Sequence, residues 1–505
     1  MFKKLITKVR QVMYRMGLIK GLKNLNSKPN VEVNEELYEF IEKWKALYKG
    51  YLSDIHDVME HTINGKKKRR RATLNMPKVL SQELASLVFN EKCEISISDE
   101  AFSENVKNVF KENNFYKEFQ RYLEYEFAMG GRVIKAYVVD GQIKLSYVTA
   151  DCFVPIQWDN KGVHGGIFVH EFKRGDKYYT HLEWHFWDVR DVPNQKSGQA
   201  ESKSVYVIKN EVYESTQGTD LGVKVSLQDF FPDLEEEVVV RNARRHLFVY
   251  SKPNIANNFD TSSPLGISVF ANVLDTLESL DTAFDSLQRE FRLGKKRIIV
   301  PASALKVVID PDTGERKQYF DADDEVYQAF KYGDDSSEIT DISVELRVEE
   351  HVAAINSLLN LLAAQTGFSS GAFSFDGQVV KTATEVVSEN SKTFRTKQSH
   401  ETTIEGSIQE LVAVVAEIAD LYGIFTGPSK DNEITVGFDD SIAEDQTAEI
   451  NKQVQLVNNG LNSKKRALMK VHKITEEEAE ELIKEINEER ASNSDEDVDM
   501  FGVGQ

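Results

Sequence analysis

Gly367-Phe368-Ser369-Ser370-Gly371-Ala372-Phe373-Ser374-Phe375-Asp376-Gly377 is the stretch around which the rest of the chain arranges itself. It is too rich in glycine and serine to form a core and too aromatic to be a plain linker. Before it, Val348, Val352, Ile355, Leu359 and Leu362 step by four and three residues, which predicts a helix over 346–366 with one apolar seam. Ala353, Ala354, Ala363 and Ala364 would let a neighbour approach that helix closely. After it, Thr382 and Glu385 have the capping-box spacing, and the helix they open is expected to reach about residue 422. Residues 382–401 are polar on every face, so this half is expected to bridge bodies, leaving Ile404, Ile408, Leu411, Val415, Ile418 and Tyr422 to enter a core.

Upstream, Ser263-Pro264 opens a second seamed stretch. Phe270, Val273, Leu277, Leu280, Phe284, Leu287 and Phe291 again step by three and four, predicting a helix over 265–293 about 43 Å long. Asp275, Glu278, Asp281 and Asp285 are expected to decorate its remaining surface. The two seamed helices should pack side by side, with 294–345 a small strand-and-turn insertion between them. Its Asp310-Pro311-Asp312-Thr313-Gly314 reads as a turn, because Asp310, Asp312 and Glu315 lack calcium-loop spacing.

Toward the amino terminus, residues 1–28 carry eight Lys or Arg and no acid, with Phe2, Leu5, Ile6, Val9, Val12, Met13 and Met16 on one helical face. That basic amphipathic helix either docks on protein or lies on a membrane. A helix over 34–51 places Leu37, Phe40, Ile41, Trp44, Leu47 and Tyr48 on one side. The run Lys66-Lys67-Lys68-Arg69-Arg70-Arg71 reads as a solvated loop, with phosphate contact as the alternative. A core helix is expected over 76–89 and a short strand over 93–98. Residues 133–139 and 143–148 should form a hairpin around Asp140-Gly141, and strands near 166–172, 178–187 and 205–213 should make an antiparallel sheet. Beyond Gly427-Pro428 come a strand at 433–438, helices near 442–458, 463–471 and 475–490, the last with a Thr475/Glu478 capping box, and a disordered tail over 494–505. The class is α+β.

Composition narrows function. A hydrophobic fraction of 41% and a charged fraction of 29% are those of a globular protein, but the net charge of −20 is unusual. It repels nucleic acid at long range, so DNA contact is expected to be local, weak and blind to sequence. Cys93 and Cys152 match no zinc or redox spacing and point to a reducing compartment. No apolar run approaches the ~20 residues of a membrane span. Phosphate-cradle, nucleophile-elbow and His-Glu-x-x-His motifs are all missing, so an enzyme is not expected. His181, Glu183 and His185 share one strand face and are the sole metal-ligand candidates, set against packing of Trp184 and Trp187 at a sheet face. No metal or other cofactor is expected.

Several stretches together resemble the portal proteins of tailed bacteriophages, in the branch with long non-contractile tails. They are Trp44-Lys45-Ala46-Leu47-Tyr48-Lys49-Gly50, Tyr147-Val148-Thr149-Ala150-Asp151 with Pro155, the loop from Gly367 to Gly377, and Gly437-Phe438-Asp439-Asp440-Ser441-Ile442 followed by Gly460-Leu461-Asn462-Ser463-Lys464. The resemblance implies a homo-oligomeric ring of about twelve subunits at one capsid vertex of the virion, assembled in the host cytoplasm. Through it a separate terminase threads double-stranded DNA for packaging and later ejection. A head-tail adaptor, the major capsid protein and scaffolding protein are further implied partners, and no membrane is.

The implied portal fold is mainly helical, with two stem helices, a β-rich wing, a small α/β clip and a helical crown. By position, 1–263 would be the amino-terminal helices and wing, 264–293 and 346–366 the stem helices, and 294–345 the clip. Residues 367–380 would be the tunnel loop, 381–426 the long wing helix, 427–491 the crown and 492–505 an acidic tail. Phe368, Ser369, Ser370, Gly371, Phe373, Phe375, Asp376 and Lys381 would face DNA, with Lys392, Arg395 and Lys397 as weaker phosphate contacts. Alternatively, the phenylalanines pack on adjacent subunits. Arg297, Lys306, Asp310, Asp312, Glu315, Arg316, Tyr319 and Asp323 of the clip would meet terminase or adaptor. Phe270, Leu277, Leu280, Phe284, Val352, Ile355 and Leu359 would pack the stem. Two other readings are a head-morphogenesis protein without a channel and a virion-associated metal-dependent nuclease using the His181, Glu183 and His185 cluster.

Overall fold

The computed structural model describes residues 34–62, 65–90, 92–193, 200–216, 220–294, 345–374, 383–428, 432–438 and 446–472, with short pieces at 298–299, 306–309, 314, 316–319, 340–341, 479–480 and 482–487. The expected helix over 1–28, the Thr382 and Thr475 caps and the tail over 494–505 lie outside them.

Helix α1 (Glu35–Tyr48) starts where the Asn34 side chain accepts the Leu37 N–H at 3.1 Å, and it buries Leu37, Ile41, Trp44 and Leu47. A single turn, α2 (Ser53–His56), leads into the antiparallel hairpin β1 (Asp57–Thr62) and β2 (Gly65–Arg70). Then come α3 (Met76–Val88), β3 (Glu94–Ile97), α4 (Glu100–Glu112) and α5 (Phe115–Met129). Their core is aromatic, with Phe89, Phe110, Phe115 and Phe119 all buried and ring centroids 4.0 Å apart for Phe110 and Phe115.

Gly130 ends α5 at φ 84°, and a Cβ there would lie 2.7 Å from the backbone of Gly266. The expected hairpin follows as β4 (Arg132–Val139) and β5 (Gln142–Thr149), with Asp140 and Gly141 at φ 51° and 75°. A larger antiparallel sheet contains β6 (Phe153–Asp159), β7 (Gly162–Arg174), β8 (Lys177–Pro193), β9 (Ala200–Ser215) and β10 (Val223–Val225), with β11 (Glu237–Val240) also paired to β9. β12 (Phe248–Ser251) joins the other side of β4. Antiparallel sheets beside long helices make the chain α+β.

The first seamed stretch differs from expectation at its start: α6 is Leu274–Leu293, preceded by a 3-10 turn at Ala271–Val273, and 265–270 is not helical. The backbone there bonds α5 instead. Val269 N–H donates to the Phe127 carbonyl at 3.0 Å and the Ser268 hydroxyl to the same oxygen at 3.2 Å. Leu265, Ile267 and Phe270 therefore sit in the main core, and the helix has 20 residues, about 30 Å.

Within the insertion, β13 (Ile298–Ile299) pairs with β16 (Thr340–Asp341) and encloses the pair β14 (Lys306–Ile309) and β15 (Arg316–Tyr319). Helix α7 (Val348–Thr366) returns, and α8 (Ala383–Tyr422) runs 40 residues, about 60 Å. Its Ile404, Ile408, Leu411, Val415 and Ile418 are buried as expected, whereas Tyr422 is 64% exposed. The buried part also begins earlier. Lys397, His400 and Glu401 are buried, made tolerable by a Lys397–Glu401 ion pair and by the Asn254 N–H donated to His400 Nδ1 at 3.2 Å. β17 (Ile434–Gly437) pairs with β3 across the sequence, and α9 (Gln446–Asn458) and α10 (Lys464–His472) follow.

Candidate functional site

α6 and α7 lie antiparallel. Thr276 Oγ1 donates to Gln365 Oε1 at 2.8 Å at one end, and Arg347 pairs with Glu290 at 3.1 Å at the other. Between them Leu277, Leu280, Ile355, Leu359 and Leu362 are buried, while Phe284 and Val352 are half-buried. Of the seven expected stem residues, only Phe270 lies off the pair.

The basic run is solvated as expected at Lys66, Lys67, Lys68 and Arg70, but most of it is strand β2 and not a loop, and Arg69 and Arg71 fasten it to α6. Arg69 forks onto Asp285 at 2.6 and 2.7 Å, Arg71 reaches Glu278 at 3.2 Å, and Arg69 and Arg289 both bond Glu60. Asp285 also accepts the Ala72 N–H at 3.0 Å. Asp281 accepts the Leu74 N–H at 3.0 Å and meets His56 Nε2 at 3.2 Å. Asp281 and Asp285 are thus buried, Asp285 against the hairpin and Asp281 against the residues flanking it, contrary to the surface role expected for them. Burial raises the Asp285 pKa, but the hydrogen bonds from Arg69 and Ala72 outweigh it and hold the carboxyl below its usual value.

At the far end of α7, Gly367 takes φ 87° and the Phe368 N–H donates to the Ala363 carbonyl at 2.8 Å. The first half of the loop then folds back onto α7 and α8. Ser369 N–H donates to Thr393 Oγ1 at 2.9 Å, Thr396 Oγ1 donates to the Gly367 carbonyl at 2.8 Å, and Gly371 N–H donates to Asn360 Oδ1 at 2.7 Å. Phe368 is 4% exposed and packs edge-on against half-buried Phe373, with centroids 5.0 Å apart.

Phe368 and Ser369 are therefore covered by their own chain and do not meet the expectation of facing DNA, while Ser370 and Gly371 are exposed. Phe375, Asp376 and Lys381 lie outside the described residues. Lys392 is bonded to the Ala364 carbonyl and Lys397 is buried on Glu401, so neither is a free phosphate contact. In the insertion Lys306 faces Tyr319 and Ile309 faces Arg316 in register; Arg297, Asp310, Asp312, Glu315 and Asp323 lie outside the described residues.

The His181 cluster does not converge on a common point. His181 Nε2 meets Asn210 Oδ1 at 3.1 Å, whereas Glu183 holds Lys135 at 2.5 Å and His185 Nε2 at 2.8 Å. Tyr206 OH donates to His185 Nδ1 at 2.8 Å and accepts the Leu247 N–H at 3.2 Å. Burial lowers the pKa of both histidines, and a neutral His185 completes this chain of bonds. Among the described residues no three His, Cys, Asp or Glu side chains are grouped to hold a metal.

One pairing was not foreseen. Lys45 forms an ion pair with Asp151, whose Oδ1 also accepts the Thr149 hydroxyl at 2.5 Å, and this joins two of the stretches quoted above. Burial raises the Asp151 pKa, but Lys45 and Thr149 outweigh it, so the carboxyl stays below its ordinary value. The signal was available: a lysine amid the apolar face of a helix and an aspartate ending a strand each call for a partner.

A family model described as phage portal protein, SPP1 Gp6-like, matches residues 28–492. The chain belongs to that family. Comparison with individual curated proteins gives no match. Portal proteins are structural components of the phage head-tail connection. No helix of the described residues is long and apolar enough to cross a membrane.

Proposed function

We propose that copies of this portal-family chain stand around a common axis at one capsid vertex of the virion and form the channel for packaging and ejecting DNA. The observation that carries this reading is the antiparallel α6–α7 pair, set apart by the insertion at one end and tied at the other to α8 through the folded loop. Two rods fixed this way make a stave that many copies can repeat. In this scheme 294–345 is the clip for terminase and adaptor, 367–380 the tunnel loop, and α9 and α10 part of the crown. About twelve subunits would bring roughly −240 of charge before counterions, which discourages adhesion of phosphates and lets a duplex slide.

Within the loop, the buried Phe368 serves as an anchor. Exposed Ser370 and Gly371, together with 375–381, supply the surface nearest the DNA. Electron microscopy of the purified chain tests the proposal: closed rings with an axial hole of duplex width are expected. A chain that remains monomeric under every assembly condition rejects it.

A further inference from the structure

The β1–β2 hairpin, α6 and α7 form a row whose two edges carry opposite charge at one level. At the hairpin edge Lys66 and Lys67 are exposed and have no ion pair among the described residues, and the Arg292 side chain is 58% exposed, with Glu60 4.0 Å away. A cavity of about 440 Å³ beside them is lined by Arg69, Arg70, Arg71, Arg289 and Arg292, against Asp285 as the one acid. In a chain of net charge −20 this is a concentrated basic edge.

The other edge is the outer face of α7. Its inner side buries Ile355, Leu359 and Leu362, so the opposite stripe Glu350, Ala354, Ser357 and Leu361 is exposed, with Leu361 at 47%. Glu345, Glu349 and Glu350 are all exposed at its start, and their side chains make no hydrogen bond or ion pair among the described residues, though Arg347 lies close enough to feel the charge of Glu350. The level of the two edges is fixed by contacts. Lys67 faces Glu60 across the hairpin, Glu60 bonds Arg289, and the neighbouring Glu290 bonds Arg347, three residues before Glu350.

Rotation about a ring axis preserves height, so a head-to-tail interface can use complementary patches only if both lie at the same level on opposite flanks. These two do. We infer that the basic edge formed by Lys66, Lys67 and Arg292 receives the acidic start of α7, at Glu345, Glu349 and Glu350, from the next copy of this chain. The small side chains Ala354 and Ser357 allow the neighbouring hairpin to approach, and Leu361 supplies an apolar contact beneath the charges. This inference rests on the ring reading and adds which faces meet and what sets their register.

Charge reversal in two separate proteins tests it. One carries Lys66→Glu, Lys67→Glu and Arg292→Glu; the other carries Glu345→Lys, Glu349→Lys and Glu350→Lys. Alone, each should lose at least tenfold in ring yield by native mass spectrometry, because like charges then face each other. An equimolar mixture should restore closed rings with an even number of alternating copies. Rings of ordinary yield from either protein alone overturn the inference while leaving the ring reading intact, as does loss of DNA retention without loss of rings, which would make the basic edge a phosphate contact. Absence of rings from the unaltered chain overturns both. As a readout independent of reversed charge, a chain carrying Lys67→Cys and Glu350→Cys should give a ladder of covalent multimers on oxidation. Rings that form without that ladder also overturn the inference.

Discussion

Arg69 and Asp285, separated by 216 residues in sequence, share two parallel hydrogen bonds of 2.6 and 2.7 Å. The fork fastens a hairpin from the amino-terminal region to a helix of the α6–α7 pair, so a strand with consecutive basic residues is held by carboxylates that periodicity alone assigned to solvent. Arg69→Ala should cost about 2–3 kcal/mol, because Asp285 would remain largely buried without its charged donor. Arg69→Lys should recover only part, since an ammonium cannot make the fork. The urea midpoint of the dissociated chain measures both, and an unchanged midpoint for Arg69→Ala would show the fork to be idle.

The seam is tested by contrasting two of its members. Leu280 is fully buried, so Leu280→Ala should cost about 2–5 kcal/mol through lost burial and a cavity. Phe284 is half-buried beside the arginine-lined cavity, and Phe284→Ala should cost distinctly less in the isolated chain. Equal losses at both positions would mean that the buried face of α6 has been misplaced.

Much of this fold was legible in the sequence because side-chain period carries it. The Asp140-Gly141 hairpin, three strands of the large sheet, the seam of α7, that of α6 from Leu277 to Leu287 but not its last expected member, the 50% exposed Phe291, and the buried residues of α8 up to Ile418 follow from alternation or from steps of three and four. What escaped depends on distant partners. The extended 265–270 segment has apolar residues at helical spacing, but its backbone bonds Phe127. α4 and α5 are different: Phe102, Val106 and Phe110, then Phe115, Phe119, Leu123 and Phe127, are buried at steps of four, a local period that the expectations above leave out. Tyr422 keeps the helical period yet lies past the end of the core. The loop at 367–374 appeared soft by composition, whereas Thr393 and Thr396, on a helix that looked uniformly polar, supply the bonds that hold it.

Acid sensitivity should have a histidine component. Burial pushes His400 down to about 4, against about 6.5 in an unfolded chain. A depressed folded-state pKa means the contribution is fully present above about pH 6.5 and is lost as pH falls toward 4. The loss amounts to about 3 kcal/mol, as the unfolded chain takes the proton first. His181 and His185 shift in the same direction, while Asp151 loses its contribution only below the ordinary carboxylate range. His400→Gln should flatten the stability profile between pH 4 and 6.5 by about one proton. A parallel profile for the variant would mean His400 is already protonated in the folded chain.

Two glycines of the loop should respond differently to alanine. Both have positive φ, 87° at Gly367 and 84° at Gly371, which costs an L-residue about 1 kcal/mol. At Gly371 nothing lies near an added Cβ, so the cost should stop there. At Gly367 the Cβ would come within 2.5 Å of Thr396 Oγ1, displacing the hydroxyl that bonds the Gly367 carbonyl, and the total should reach about 2–3 kcal/mol. Thermal unfolding of the two variants side by side gives the comparison, and a smaller loss at Gly367 than at Gly371 would contradict the packing of α8 on the loop.

Thr393 is the most direct handle on the loop without touching it. Its hydroxyl accepts the Ser369 N–H at 2.9 Å and lies 3.0 Å from the Ser369 hydroxyl, so Thr393→Val keeps the shape and removes both bonds. The lost stabilisation, about 1–2 kcal/mol, is local, and by the usual logarithmic relation it should speed amide exchange at 368–371 by roughly tenfold or more. Ring yield should be unchanged, because neither bond crosses to another copy. If the loop meets DNA as proposed, packaged DNA should leak or fall short in length once its anchor is loosened. Faster exchange with normal packaging would detach the loop's rigidity from its role on DNA; unchanged exchange would show that Phe368 burial and the Thr396 and Asn360 bonds suffice to hold it.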